Sequence, residues 1–267
     1  MSAYVVLDIE ANLLDIDLAV PREIAALRFD EEGPPTAFQR LLRFAEPSVS
    51  DEEFGIHGIS QAMIDAEGVP PAQALADFAE FCGDAAWVGH NVLFYDCLVL
   101  ARHFKDHGIA ARPSRVLDTL PLAREHLVSP GGRFSLGHLC QTFGIINDQA
   151  HRAASDVAAT AQIFELILAK EASHDRLWEL CGSRTFDTIL ELPARFRAIQ
   201  EAITAGREIC IEYESSSSGS RERWVKPLRP AQARVASAAF TAICLESGTE
   251  KMFRLDRIKR VVGTRGA

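Results

Sequence analysis

The sequence predicts an α/β domain, in which helices flank a mixed sheet, followed by a small β-rich domain. Three strand-like runs fill the first 44 residues, and helical and strand patterns then alternate to about residue 172. Strands followed by alternating helices and strands are typical of α/β architecture. After residue 196 the pattern changes to short β-like runs with interleaved arginines. We therefore expect one domain at 1–172, a linker or helix at 173–195 and a second domain at 196–267.

Periodicity and turn residues define the elements of the first domain. The run at 4–9 has the length and valine content of a strand. Gly33, Pro34 and Pro35 mark a hairpin turn between the next two strands, and Gly83 ends a helix that begins near two prolines. The predicted strands lie at 4–9, 23–29, 38–44 and 85–90, the predicted helices lie at 59–66, 71–83, 98–108, 135–144 and 154–172, and residues 115–127 begin as a strand and become a helix.

The second domain is predicted to be mostly β. Residues 198–206 form a helix that ends at Gly206, and the serine-rich segment 215–223 has the composition of a flexible loop. Short strands are predicted at 208–213, 223–230, 240–246 and 251–263.

The composition excludes several classes of protein. No apolar run approaches the roughly 18 residues needed to span a bilayer, which argues against a membrane protein. The first residues carry no basic segment ahead of an apolar run, so no signal peptide is expected. The six cysteines are far apart and form no CxxC pair, which favours reduced thiols in the cytoplasm over a disulfide framework or a zinc site.

The net charge of −9 is unevenly distributed along the chain. Residues 195–267 carry 14 lysines and arginines against 8 acidic residues, a balance of +6, so the rest of the chain has a balance of −15. The basic segment is the better candidate for contact with nucleic-acid phosphates. The alternative is a mildly basic solvated surface.

The first strand carries two candidate metal ligands. Asp8 and Glu10 are two positions apart, so both side chains project from one face of the strand. Neighbouring carboxylates repel each other unless a cation lies between them. The alternative is a strand that ends in two solvated acids.

Three further candidates lie at junctions between predicted elements. Asp96 follows a short strand and lies close to the start of a helix, where the sites of α/β proteins gather. Asp156 lies in the first turns of the long helix, and His151 lies just ahead of it. Carboxylate oxygens suit Mg²⁺ or Mn²⁺, and an imidazole suits proton transfer at neutral pH. Taken singly, each acid has an alternative role as a helix cap or as a charge that complements the helix dipole.

Together, the segments VVLDIEAN, VGHNVLFYD and HRAASD resemble, in order and spacing, the motifs of the DEDD family of 3′–5′ exonucleases, in the branch with histidine in the last motif (DEDDh, DNA polymerase III epsilon-like). The resemblance runs from about residue 4 to 170 and includes PREIAAL, IHGISQAMI, LDTLPLAR and SLGHLCQTFGI. It implies a ribonuclease H-like fold and a two-metal phosphodiesterase. By position, Asp8, Glu10 and Asp156 would coordinate two Mg²⁺ or Mn²⁺ ions, Asp96 would hold the second ion, directly or through water, and His151 would be the general base.

Two departures from the family motifs concern the binding of substrate. Ala11-Asn12-Leu13 stands where the family usually has Thr-Thr-Gly, a stretch that cradles the 3′-terminal nucleotide. In the second motif, Asn91 and Asp96 are five positions apart where four is commoner, and Tyr95 occupies the shorter position. We expect Asp96 to be the ligand, in a longer variant of the motif. The predicted substrate-binding residues are Ala11, Asn12, His57 and Asn91.

The C-terminal segment resembles a WYL domain, a small module of bacterial regulators with an SH3-like barrel. The matching pieces are ICIEY, RWVKP and KMFRLDRIKRV, and AAF at 238–240 replaces the Trp-Tyr-Leu triplet that names the module. The resemblance implies a nucleic-acid or nucleotide ligand bound through arginines. The alternative is a structural or dimerising role. In the structural role, the arginines pair with acids such as Glu212 and Asp256; in the dimerising role, the domain joins two copies of the chain in a homodimer. The candidate arginines are Arg223, Arg254 and Arg257.

The sequence therefore predicts a Mg²⁺- or Mn²⁺-dependent 3′–5′ exonuclease that releases nucleoside 5′-monophosphates from single-stranded DNA or RNA ends. An accessory domain would bind nucleic acid or a ligand, and a role in DNA repair agrees with this activity. The alternative is a non-catalytic sensor of nucleic acid or nucleotide that uses the WYL-like domain. Nothing in the sequence separates DNA from RNA.

Overall fold

The chain forms two compact units, Met1–Ile189 and Leu190–Ala267, each with a hydrophobic core of its own. The computed structural model describes residues 3–16, 18–183, 185, 186, 189, 196–215, 219–233 and 237–265, with the backbone alone at 215, 231–233, 237, 238 and 256. The predicted α/β domain followed by a small β-rich domain is confirmed. Within the described ranges, no helix is both long and apolar enough to cross a membrane.

The first unit is built on a five-stranded mixed sheet. Its strands are β1 (Tyr4–Ala11), β2 (Pro21–Phe29), β3 (Thr36–Leu41), β4 (Ala86–Gly89) and β5 (Val116–Asp118). The strand order is β3-β2-β1-β4-β5. The first three strands pair antiparallel, β4 runs parallel to β1, and β5 runs parallel to β4. β1 is therefore central, which explains why its first half is buried on both faces.

Helices pack against this sheet. They are α1 (Asp51–His57), α2 (Gln61–Glu67), α3 (Pro71–Cys82), α4 (Asp96–Asp106), α5 (Thr119–His126), α6 (Leu136–Phe143), α7 (Ala153–Leu168) and α8 (His174–Leu180). α7 lies against β1 and β2, and α3 lies against β3. The ring of Phe78 on α3 packs on Phe38 of β3 and on Trp87 of β4.

The period of two along β1 decides which side chains meet α7. Tyr4, at the start of the strand, packs edge-on against Phe164 of α7. Because alternate residues of a strand share a face, Asp8 and Glu10 project from the same face as Tyr4. Ile9 points to the other side and is buried.

Helix α1 was not predicted from the sequence, which placed the first helix at 59–66. The seven-residue helix is too short for apolar periodicity to show. Its signal is a capping box, in which the Ser50 side chain accepts the N–H of Glu53 and the Glu53 carboxylate accepts the N–H of Ser50. Gly58, with φ of 67°, ends the helix in the left-handed conformation that favours glycine.

The described part of the second unit is a five-stranded antiparallel sheet with one α-helix beside it. Its order is β10-β6-β7-β8-β9. In its core, Phe240 stacks on Phe253, and Tyr213 packs edge-on against Phe253. The elements are α9 (Arg197–Ala205), β6 (Glu208–Ser215), β7 (Gly219–Ala233), β8 (Ser237–Cys244), β9 (Thr249–Arg254) and β10 (Ile258–Arg265).

Two predictions for this unit were wrong. The loop predicted at 215–223 belongs to a strand from Gly219 onward, because pairing with β6 outweighs the polar composition of the segment; 216–218 lie outside the described residues. The single strand predicted at 251–263 is interrupted by a 3₁₀ turn at Leu255–Arg257. Leu255 is buried there, so the turn inserts an apolar side chain into the core between two strands.

Candidate functional site

Three carboxylates converge at one end of the central strand. Asp8 and Glu10 project from the face of β1 on which α7 packs, and Asp156 lies in the first turn of α7. One oxygen of each carboxylate lies within 4.8 Å of the others. A group made only of carboxylate oxygens suits a hard divalent cation such as Mg²⁺ or Mn²⁺. These three residues could therefore hold a metal.

A fourth carboxylate, that of Asp96, adjoins this group. Asp96 is the first residue of α4 and is buried. Its Oδ1 accepts a hydrogen bond of 3.0 Å from the main-chain N–H of Ile9. Because Ile9 stands between Asp8 and Glu10, this bond brings Asp96 to the same end of β1.

Crowding and burial make the ionised form of these acids costly. Burial, followed by repulsion from Asp96 and Glu10, raises the pKa of Asp8 well above its ordinary value. Burial, followed by repulsion from Asp156 and Glu23, raises the pKa of Glu10 to about 8. Burial raises the pKa of Asp96 to about 7, although the N–H of Ile9 opposes the change. A bound cation would remove this cost by favouring the ionised carboxylates.

His151 lies on an exposed turn just ahead of α7. Its φ of 66° is in the left-handed region, and its main-chain N–H donates to Oδ2 of Asp156 over 3.2 Å. The Asn147 side-chain amide donates to Oδ1 of Asp156 over 2.7 Å, and the Ser155 hydroxyl in turn donates to Oδ1 of Asn147 over 2.6 Å. The Asp156 carboxylate is thus held by neighbours on both oxygens, while the imidazole of His151 remains at the surface.

Sequence reasoning missed Glu23, whose side chain is fully buried on β2 directly opposite Glu10. Its carboxylate accepts hydrogen bonds from the Arg152 guanidinium, the Gln39 amide and the Ala153 N–H. The available signal was a pair of adjacent charged residues, Arg22 and Glu23, at the start of a largely apolar strand. A buried charge is tolerated only where it is paired, so this pattern indicated a partner elsewhere in the chain.

Asp118 is a second buried carboxylate that the sequence analysis did not single out. Its Oδ1 accepts the N–H groups of Asn91 at 2.8 Å and Leu120 at 2.9 Å, and its Oδ2 accepts that of Leu93 at 3.2 Å. Asn91, predicted to bind substrate, has a left-handed φ of 65° on this loop. Asp118 therefore ties the loop that leads into Asp96 to the end of β5.

The loop after β1 holds the other residues of the first motif. Ala11 ends β1 at an irregularity in its pairing with β2. The Asn12 side chain accepts the N–H of Val20 at 2.7 Å, so it closes the loop on itself. The Tyr95 hydroxyl donates to the carbonyl of Leu13 on the same loop. Tyr95 thus fixes this loop, whereas the neighbouring carboxylate of Asp96 binds the strand.

His57 is buried at the end of α1. Its Nδ1 accepts the N–H of Ile59 at 3.1 Å, so the ring proton resides on Nε2. Nε2 is also buried and has no hydrogen-bond partner among the described residues. Burial lowers the pKa of His57, which favours the neutral imidazole.

In the second unit, two of the three candidate arginines share an aromatic neighbour. The Arg223 guanidinium lies 6.0 Å from the centroid of the Tyr213 ring, and the main-chain N–H of Arg254 donates to the Tyr213 hydroxyl at 3.4 Å. Arg257 ends the 3₁₀ turn and is half-buried.

The acids expected as partners of these arginines are engaged differently. Glu212 pairs with Arg260 at 2.8 Å and also accepts the Ser220 hydroxyl. The side chain of Asp256 lies outside the described residues. The pair of Glu212 with Arg260 joins β6 to β10 across the sheet.

Comparison with known families gives two matches. The profile of the Exonuclease family (RNase_T) matches residues 5–164, and that of the WYL domain matches residues 194–262. DNA polymerase III subunit epsilon of Aquifex aeolicus is 32% identical over 167 residues, which are 62% of this chain and 80% of that protein. The PolC-type DNA polymerase III of Staphylococcus saprophyticus is 31% identical over 163 residues, and the match spans 61% of this chain but 11% of the polymerase.

Solved structures show the fold. A structure of exonuclease I is 20% identical with a TM-score of 0.58, and E. coli exonuclease I in complex with a dA16 oligonucleotide is 19% identical with a TM-score of 0.57. Both matches cover 91% of this chain and 55% of the other, so this chain spans little more than half of those proteins. The likeness confirms the predicted ribonuclease H-like fold.

Proposed function

Because this chain belongs to the Exonuclease family, as its acidic motifs predicted, we propose that it is a divalent-metal-dependent 3′–5′ exonuclease acting in the cytoplasm. Its substrates would be single-stranded DNA or RNA ends, and its products nucleoside 5′-monophosphates. The observation that carries the proposal is the set of three carboxylates whose oxygens lie within 4.8 Å of one another. Exonuclease I, which shares the fold, binds a dA16 oligonucleotide, and this supports a single-stranded substrate.

In this proposal, Asp8, Glu10 and Asp156 hold the cations and Asp96 completes the set. When bound, two Mg²⁺ or Mn²⁺ ions neutralise the charge that develops on the phosphate and on the leaving oxygen. The protein supplies the arrangement of ligands. The N–H of Ile9 fixes the Asp96 carboxylate, and the bonds from Asn147 and His151 fix that of Asp156.

His151 would act as the general base. An imidazole nitrogen takes a proton from water as the water oxygen forms a bond to phosphorus and the bond from phosphorus to the 3′ oxygen breaks. The main chain of His151 is bound to Asp156, so the base is tied to one of the proposed ligands. Its position on an exposed turn leaves the ring open to a nucleic-acid end.

The WYL domain would guide or regulate this activity. Its excess of positive charge favours phosphate, and the guanidinium of one candidate arginine, Arg223, lies over the Tyr213 ring. The competing proposal is a sensor without catalysis, in which binding of nucleic acid or a nucleotide by the WYL domain is the protein's entire function.

The test uses the full chain with DNA and RNA oligonucleotides that carry a label at either end. With Mn²⁺ or Mg²⁺, the 3′ label should leave at once as a mononucleotide, whereas the 5′ label should move through progressively shorter products. Chelator and Asp8→Asn should each abolish both results, and Asp65→Asn, on the exposed surface of α2, should behave as the wild type. Binding of oligonucleotides without metal-dependent cleavage would favour the sensor.

A further inference from the structure

A buried ion pair connects β2 to the turn that carries His151. Glu23 lies opposite Glu10 in the pairing of β2 with β1, and its side chain is inaccessible to solvent. Its carboxylate accepts two hydrogen bonds from the Arg152 guanidinium, one from Nη2 at 2.8 Å and one from Nε at 3.2 Å. It also accepts the Gln39 amide at 2.6 Å and the Ala153 N–H at 3.0 Å. Four donors thus converge on one carboxylate.

These donors keep the carboxylate ionised despite its burial. Burial acts to raise the pKa of Glu23, but the hydrogen bonds from Arg152 and Gln39 outweigh it and hold the pKa below its ordinary value. Charge-assisted hydrogen bonds of this kind are stronger than neutral ones and fix geometry as well as distance. The pair is therefore suited to hold a turn in one place.

Arg152 and Ala153 are the two residues that follow His151 in the chain. The left-handed φ of 66° at His151 is uncommon for a residue other than glycine and persists only where its surroundings impose it. On one side the His151 N–H is bound to Asp156. On the other, Glu23 binds both succeeding residues.

We propose that Glu23 is a positioning residue for His151, acting through Arg152 and Ala153. The inference rests on the proposed nuclease function, in which His151 must stand within hydrogen-bonding distance of the attacking water. Displacement of a base by about 1 Å is enough to slow a reaction about a hundredfold. Glu23 itself touches no substrate in this scheme.

Glu23→Gln is the decisive substitution. It keeps the size of the side chain but turns one oxygen into a donor that faces other donors. We expect kcat to fall about 10–100-fold, as for other partners that orient a catalytic group, and KM to change by less than about threefold. The matched control is Glu53→Gln, which alters a second buried glutamate, whose carboxylate accepts hydrogen bonds from Arg22 at 2.9 Å and from the N–H of Ser50 at 2.8 Å. The control should leave kcat within about twofold of the wild type.

A double-mutant cycle separates positioning from a general structural effect. If Glu23 acts through His151, then Glu23→Gln should cost less than about twofold in single-turnover rate when His151 is already alanine. The same 10–100-fold loss in both backgrounds would overturn the inference, as would an equal loss in Glu53→Gln.

Hydrogen–deuterium exchange gives a reading that does not depend on activity. In the metal-free full chain, Glu23→Gln should speed exchange of the amides of residues 151–153 by about tenfold or more, whereas Glu53→Gln should not. Unchanged exchange there in Glu23→Gln would refute the positioning role even if kcat falls. A wild-type protein without nuclease activity would refute the proposed function instead, while the exchange result would still test whether Glu23 anchors the turn.

Discussion

Replacement of Glu10 by glutamine should stabilise the metal-free protein and make its stability less dependent on pH. The pKa of Glu10 is raised from 4.5 to about 8 by burial and by repulsion from Asp156 and Glu23. A group whose pKa is higher in the folded than in the unfolded protein contributes stability below its unfolded pKa, and this stability is lost as pH rises through the folded pKa. The unfolding free energy of the metal-free wild type should therefore fall between about pH 4.5 and about pH 8.

The size of the effect follows from the same two pKa values. At pH 7 most of the folded protein holds Glu10 protonated, whereas the unfolded chain holds it ionised. With about 1.4 kcal/mol for each pH unit between 4.5 and 7, the cost to folding is on the order of 3 kcal/mol. Glutamine carries no such cost. In a domain of this size the difference corresponds to about 6–12 °C in Tm.

The assay is scanning calorimetry of the full chain in chelator at pH 5, 7 and 8, with Glu80→Gln on the exposed face of α3 as the matched control. Glu10→Gln should gain Tm over the wild type at pH 7 and 8 and little at pH 5. Added Mn²⁺ should raise the Tm of the wild type more than that of Glu10→Gln, because a ligand that binds the folded state stabilises it more when its affinity is higher. Identical pH profiles for wild type and variant would refute the reasoning.

Three other predictions concern catalysis and nucleic-acid binding. His151→Ala should lower kcat by about 10²–10⁴-fold and leave the Mn²⁺ affinity, measured by titration calorimetry, unchanged; loss of the metal would make the imidazole a ligand. Asp96→Asn should abolish cleavage in the oligonucleotide assay and Tyr95→Phe should be mild, since the Tyr95 hydroxyl donates to a loop carbonyl; the reverse result would favour the shorter motif spacing. Arg254→Ala and Arg257→Ala should each weaken oligonucleotide binding and reduce the slope of log K against log salt by about one, whereas a lower Tm with an unchanged slope would give them a structural role.

The fold class and the residue types of the candidate site follow from local features of the sequence. The alternation along β1 determines that Asp8 and Glu10 share a face, and the helical pattern after residue 153 determines that Asp156 lies in a first turn. These inferences hold because periodicity and capping depend on residues a few positions apart. Where local signals compete they fail, as in the segment from Gly219 to Arg223, which is polar in composition but forms a strand once β6 pairs with it.

Tertiary structure alone decides how the distant pieces meet. The bond from Ile9 to Asp96 joins residues 87 positions apart, and the bond from Arg152 to Glu23 joins residues 129 positions apart. A charged residue in an apolar strand predicts a partner, because an unpaired buried charge is costly. The local sequence does not identify which residue that partner is. That choice depends on sheet order and on where α7 begins above β1 and β2. The partner of Glu23 is therefore set by packing over the whole domain, a property that no local pattern in the chain encodes.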